Sequence, residues 1–404
     1  MSRATVEDEL TLGIAGTALR RERCTARLLE LSHRTEPARL IEVLARQRLI
    51  HLGIARLREL GAEVLTADMT GRIEQRLRSV RWKAVEQEML THSIAGTLEE
   101  HRIVSVPLKG AVLARRLFDD PGLRESEDVD LLVEAGRLEQ AVAVVRERFG
   151  YDDPRDPRDR RGRPLLHYRL RHPQGLPTVE LHWRVHWYEE RSGPAMVARC
   201  VVDNGLRRLA PADELACLLL VYARDGFAGV RPLADLAAWW DRNGERLEAG
   251  GVEEFAREFP ELAPALTVSA ALVGALAGTP QSKLAVTGRP WSHRMRRAAR
   301  LANWRLTGAD EQIYADIALV DLLLTPGPQA WASLRRQVLL PFDVVADRLV
   351  EAESAPLSLL RAVALHVPRI LARFVLALMA TRGSRTRSLL RAPFGFAGLR
   401  RPGA

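Results

Sequence analysis

Over the first hundred residues, apolar positions recur at the spacing of helix faces. Leu28, Leu29 and Leu31 open one segment, and Leu40, Leu44 and Ile50 fall on one face of a second. A third, from Arg72 to roughly His101, carries Ile73, Leu77, Val80, Val85, Met89, Ile94 and Leu98. The period then changes. Ile103 to Val106 is a short continuous apolar run closed by Pro107, which predicts a buried strand. Ala111 to Phe118 is helical again, and DDPG (Asp119 to Gly122) stops it. The stretch DVDLLV, Asp128 to Val133, predicts a second strand. Its period of two puts Asp128 and Asp130 on one face, with Val129 and Leu131 on the core side.

An amphipathic helix follows from Ala135 to Phe149, with Leu138, Val142, Val145 and Phe149 on one side. Tyr151 to Arg163 is a charged, proline-broken loop, read as a linker or as an arginine-bearing flap. Two more strands are predicted, Leu165 to Arg171 and Thr178 to His186, joined by the turn HPQGLP. In the second, Val179, Leu181 and Trp183 share one face, and Glu180, His182 and Arg184 share the other. From Pro211 onward the pattern is helical: PADELACLLLVYARDGF, then Arg231 to Arg242, then AALVGALAG, then the basic Trp291 to Leu306. LLLTPGPQ marks a hinge before the last region.

This order of elements predicts an α+β fold, with a small mixed β-sheet set between a helical prefix and a large C-terminal helical part. The expected division is 1–100 helical, 101–204 catalytic core, 205–340 substrate-side helices and 341–404 a basic helical region with its tail. The length of 404 residues accommodates this, and no fixed repeat is visible.

Composition narrows the setting. Hydrophobic residues at 47% and charged residues at 27% are those of a globular protein rather than a membrane or disordered chain. Three scattered cysteines (Cys24, Cys200, Cys217) form no zinc spacing or disulfide framework, and fit a reducing cytoplasm. The start MSRATVEDEL lacks a secretory pattern. A net charge of +9, overwhelmingly from arginine, suits a phosphate-bearing partner, whether a nucleoside triphosphate or a nucleic acid. The apolar face of Val363, Val367, Ile370, Leu371, Phe374 and Leu378, with Arg369 and Arg373 off it, reads as a packed helix or a membrane-surface contact.

The chemistry concentrates between Val104 and Val133. Two carboxylates side by side on a strand repel unless a cation neutralises them, and hard oxygen ligands suit magnesium bridged to phosphates. Lys109-Gly110 stands at the strand-to-helix turn, where the glycine frees the backbone and the lysine offers a positive charge. The alternative for Lys109 is an ordinary surface lysine.

The run LKG, a helix, Arg124, then DVDLLV resembles the nucleotidyltransferases of the DNA polymerase beta superfamily, of the type found in antibiotic, peptide and polysaccharide gene clusters. The resemblance is specific over residues 95–185 and faint to 242. It implies a third carboxylate from a neighbouring strand, and Glu180 in TVELHW matches it, with His182 beside it. Asp128, Asp130 and Glu180 would then hold two Mg2+ ions, with Glu180 also a possible proton acceptor. Lys109, Gly110 and Arg124 would handle the phosphates of a nucleoside triphosphate. His182 would steady Glu180 or touch the acceptor. Where relatives carry a pair of histidines, this chain has Tyr222 and Asp225, and Asp235 matches an aspartate of the following helix. The implied reaction moves a nucleoside monophosphate to a hydroxyl or phosphate of a small molecule or peptide. The alternatives are a nucleic-acid-directed enzyme or binder of the same fold, and a non-catalytic interaction protein. Eight dispersed tryptophans make no stacking platform, and three acids expected to be exposed have no structural purpose.

Overall fold

In the computed structural model, residues 5–153 and 163–280 (except 249), 291–305 and 313–327 are described, with scattered positions up to 379. Most of the Tyr151–Arg163 loop and of the C-terminal amphipathic segment lies outside them.

The N-terminal helices are α1 (Val6–Ile14), α2 (Ala18–Arg23), α3 (Thr25–His33), α4 (Pro37–Arg46), α5 (Ile50–Glu59) and α6 (Ala67–Glu100). The expected single helix through Leu40, Leu44 and Ile50 is two, because Arg48 takes φ +53 between them. Helix α6 begins at Thr66, whose side chain accepts from the Met69 amide, a standard N-cap. Only its second half has a buried stripe, running Ala84, Gln87, Thr91, Ile94 and Leu98. Met89, expected on the apolar face, is exposed.

A four-stranded sheet follows, built from β1 (Ser105–Pro107), β2 (Asp128–Val133), β3 (His167–Leu170) and β4 (Thr178–His182). Its order is β1-β2-β4-β3, with β2 and β4 parallel and both outer strands antiparallel, so the sheet is mixed. The crossover between the parallel strands carries α8 (Leu138–Phe149). Strand β4 is shorter than predicted. At Trp183 the chain turns away, with the indole donating to the Pro164 carbonyl and Arg184 Nε donating to the Leu165 carbonyl at 2.7 Å.

The strand period separates two environments. On the back face Val129, Leu131, Val133, Val179, Leu181 and Trp183 form one apolar core with α8 and the end of α6. The front face is flanked by α7 (Ala111–Phe118), α9 (Ser192–Ala198) and α10 (Pro211–Arg224). A small hairpin, β5 (Val201–Asp203) with β6 (Leu206–Arg208), precedes α10. Helices α11 (Arg231–Asn243), α12 (Gly251–Glu258), α13 (Ala263–Ala277), α14 (His293–Arg305) and α15 (Ile313–Leu324) follow.

A second apolar core joins residues that the sequence assigned to different regions. Leu10, Ile14, Leu40 and Leu57 share it with Leu219, Leu233, Leu266 and Val268. The prefix therefore does not simply cover the sheet. Helix α6 does so, whereas α1 to α5 pack with the C-terminal helices, with Arg20 donating to the Ala275 carbonyl.

Candidate active site

The turn after β1 sets the geometry. Gly110 has φ +84, and a Cβ there would sit 3.3 Å from the Asp128 carbonyl oxygen. Only glycine lets this turn lie so close against the start of β2. The approach carries Lys109 onto the acidic pair: its Nζ lies 3.1 Å from Asp130 Oδ1 and 3.9 Å from Asp128 Oδ2.

The parallel register places Asp130 beside Glu180 and Asp128 beside Thr178. Carboxylate oxygens of Asp128, Asp130 and Glu180 all fall within 4.8 Å of one another. Asp130 is only 1% exposed. Its Oδ1 faces Lys109 and His182 Nε2, the latter at 3.0 Å, while its Oδ2 is buried without a hydrogen-bond partner. Such an orphaned buried oxygen is costly unless something positive meets it, so this donor set fits a divalent cation.

The electrostatics agree. Burial and repulsion from Asp130 raise the Asp128 carboxyl above its ordinary pKa. Burial acts the same way on Asp130, but Lys109 and the hydrogen bond with His182 outweigh it and hold it low. Burial would lower Lys109, yet Asp130 and Asp128 keep it above its ordinary value. Glu180 is desolvated too, but His182, His167 and Lys109 hold it well below the carboxylate range.

The other expected residues fall differently. His182 is fully buried; its Nε2 lies 3.4 Å from Glu180 Oε2 as well as next to Asp130. Arg124 is buried and gives its Nε to Asp235 at 2.9 and 3.0 Å, not to the acidic pair. Asp235 is thereby occupied. Asp225 pairs with Arg224 at 3.3 Å. Both aspartates are thus in ion pairs with arginines rather than with the acidic cluster.

The profile of a family described as uncharacterised nucleotidyltransferases matches residues 33–278. The chain belongs to that family. The match spans the sheet and α10 to α13 alike, so the family unit includes helices on both sides of the strands. No curated protein and no solved structure matches the chain.

Four residues around the acidic cluster were not singled out from the sequence. Arg224 is buried at the end of α10; burial would lower its pKa, but Asp225 and Asp130 hold it above the ordinary value, and its Nη1 lies 3.4 Å from the Val185 carbonyl. Arg169 donates to Glu180 Oε1 at 3.2 Å, and His167 Nε2 lies 3.6 Å from the same oxygen. Ser126 Oγ donates to Asp128 Oδ1 at 3.3 Å. For Arg169 and His167 a signal existed, since alternation puts both on one face of β3, but their register against β4 was not legible. Among the described residues no helix is long and apolar enough to cross a membrane.

Proposed function

We propose that this chain is a magnesium-dependent nucleotidyltransferase of the DNA polymerase beta type, transferring a nucleoside monophosphate from a nucleoside triphosphate to a hydroxyl or phosphate of a small molecule or peptide. The observation that carries the reading is the convergence of Asp128, Asp130 and Glu180, with Asp130 Oδ2 buried and unpartnered. These three residues would hold the metal ions. Bound there, a divalent cation neutralises phosphate charge and eases deprotonation of the attacking hydroxyl.

The chain's own groups do the rest. Lys109, 22% exposed at its side chain, is the positive charge open to phosphate oxygens. His182 and Arg169 fix Glu180 from two sides, and Ser126 steadies Asp128. Glu180, held ionised by its neighbours, is suited to hold an ion and poorly suited to accept a proton. Arg124 is better assigned to fastening α11 through Asp235 than to phosphate binding. Helices α10 and α11 supply the wall beside the cleft, and we assign acceptor selection to them. The free cysteines suit action in a reducing cytoplasm, in the kind of biosynthetic setting the motif suggests.

Incubating the full-length protein with each triphosphate, Mg2+ and candidate acceptors, with mass spectrometry of the acceptors, tests the reading. A mass gain of one nucleoside monophosphate that Asp130→Asn abolishes supports it. Failure to bind any magnesium–triphosphate would overturn it.

A further inference from the structure

The sheet carries a second group of ligating side chains that the transferase reading does not use as such. His167 and His182 face each other across β3 and β4, and Glu180 lies between them and the acidic pair. Ligand atoms of His167, Glu180 and His182 all lie within 4.8 Å of one another. His182 Nε2 is 3.4 Å from Glu180 Oε2, and His167 Nε2 is 3.6 Å from Glu180 Oε1. The second distance is too long for a hydrogen bond. Both come near the roughly 3.4 Å edge between two ligands on one tetrahedral ion bound at about 2.0–2.2 Å.

Neither histidine looks like a core residue satisfied by the backbone. The buried Nδ1 of each lacks a protein partner, so no carbonyl commits either ring to a structural role. The rings meet edge to face with centroids 4.7 Å apart; His167 Nε2 is turned to Glu180, and His182 Nε2 lies between Glu180 and Asp130.

We propose that His167, His182 and Glu180 form a second cation site, selective for an imidazole-accepting divalent ion of the zinc or cobalt class over magnesium. Imidazole nitrogens favour such ions, whereas magnesium takes oxygen ligands and keeps its waters. The site rests on the transferase reading through the shared Glu180 and His182, with Glu180 offering Oε1 toward His167 and Oε2 toward His182. Asp128 belongs to the acidic triad alone and His167 to the histidine group alone, so the two readings are separable.

The test is equilibrium dialysis of the untagged full-length protein against Zn2+ with excess Mg2+, paired with the visible spectrum of the Co2+-loaded protein. About one Zn2+ retained against Mg2+, with Co2+ bands of nitrogen–oxygen coordination, is expected. His167→Gln should weaken Zn2+ by roughly tenfold or more, since even outer-shell changes commonly cost that much. His167→Cys should restore binding and change the Co2+ spectrum by adding a thiolate ligand. Asp128→Asn should leave Zn2+ binding intact. Zn2+ displaced by Mg2+, or His167→Gln binding as tightly as wild type, would overturn the site. Zn2+ retained by a protein that binds no magnesium–triphosphate would leave this site standing and overturn the transferase reading instead.

Discussion

Two buried carboxylates, one at the α7–α10–α11 junction and one on the front of the sheet, are treated in opposite ways. Glu214 accepts from Arg116 Nη1 and Nη2 and from Trp239 Nε1, each at 2.7 Å, so both of its oxygens are matched. Asp130 is as deeply buried, yet one oxygen is crowded by Lys109 and His182 while the other has no partner. The first arrangement is a closed fastener that ties α7 to α10 and α11. The second is an open one. Satisfaction, more than burial or charge, separates a structural acid from a ligand in waiting.

The sharpest break of this comparison is Asp128→Asn. Transfer should fall on the order of 100- to 1,000-fold, the usual scale for losing one preorganised electrostatic group. Thermal stability without metal should hold or rise, because the fold disfavours the charged form of this carboxyl. A clear drop in Tm would show the acid to be structural. Glu214→Ala should do the reverse. It strands Arg116, whose side chain is 25% exposed, so the cost is the lower end of a broken buried pair, about 3 kcal/mol by urea denaturation. Nucleotide binding per folded molecule should survive.

Lys109→Met should weaken triphosphate binding roughly 10- to 100-fold, the worth of a charge-assisted hydrogen bond of about 1.5–3 kcal/mol. Binding isotherms with an unchanged affinity would remove the lysine from the phosphate site. The smallest effect is in pH. The Asp128 carboxyl has its folded pKa raised above the ordinary 3.8, so the folded state holds its proton longer. Its penalty is absent below 3.8 and grows as pH rises through the folded value. The Tm difference between Asp128→Asn and wild type, without metal, should therefore widen as pH rises from 3.8 through the folded value and level off above it; a difference flat across that window would contradict the shift.

What the chain's own order determined is local. A period of two put Asp128 and Asp130 on one face and Val129 and Leu131 on the other, and did the same for Glu180 and His182 against Val179 and Leu181. The small mixed sheet between helical ends was legible for the same reason, since the hydrophobic period announces element type. Register and partner choice were not. Whether Asp130 lies beside Glu180 depends on how two strands fifty residues apart slide against each other. Arg124 chose Asp235, 111 residues away, over the acids four and six positions downstream, because α11 packs there. The N-terminal helices likewise found their core among α10 to α13. Spacing along a chain fixes which face a side chain takes; only packing decides what it meets there.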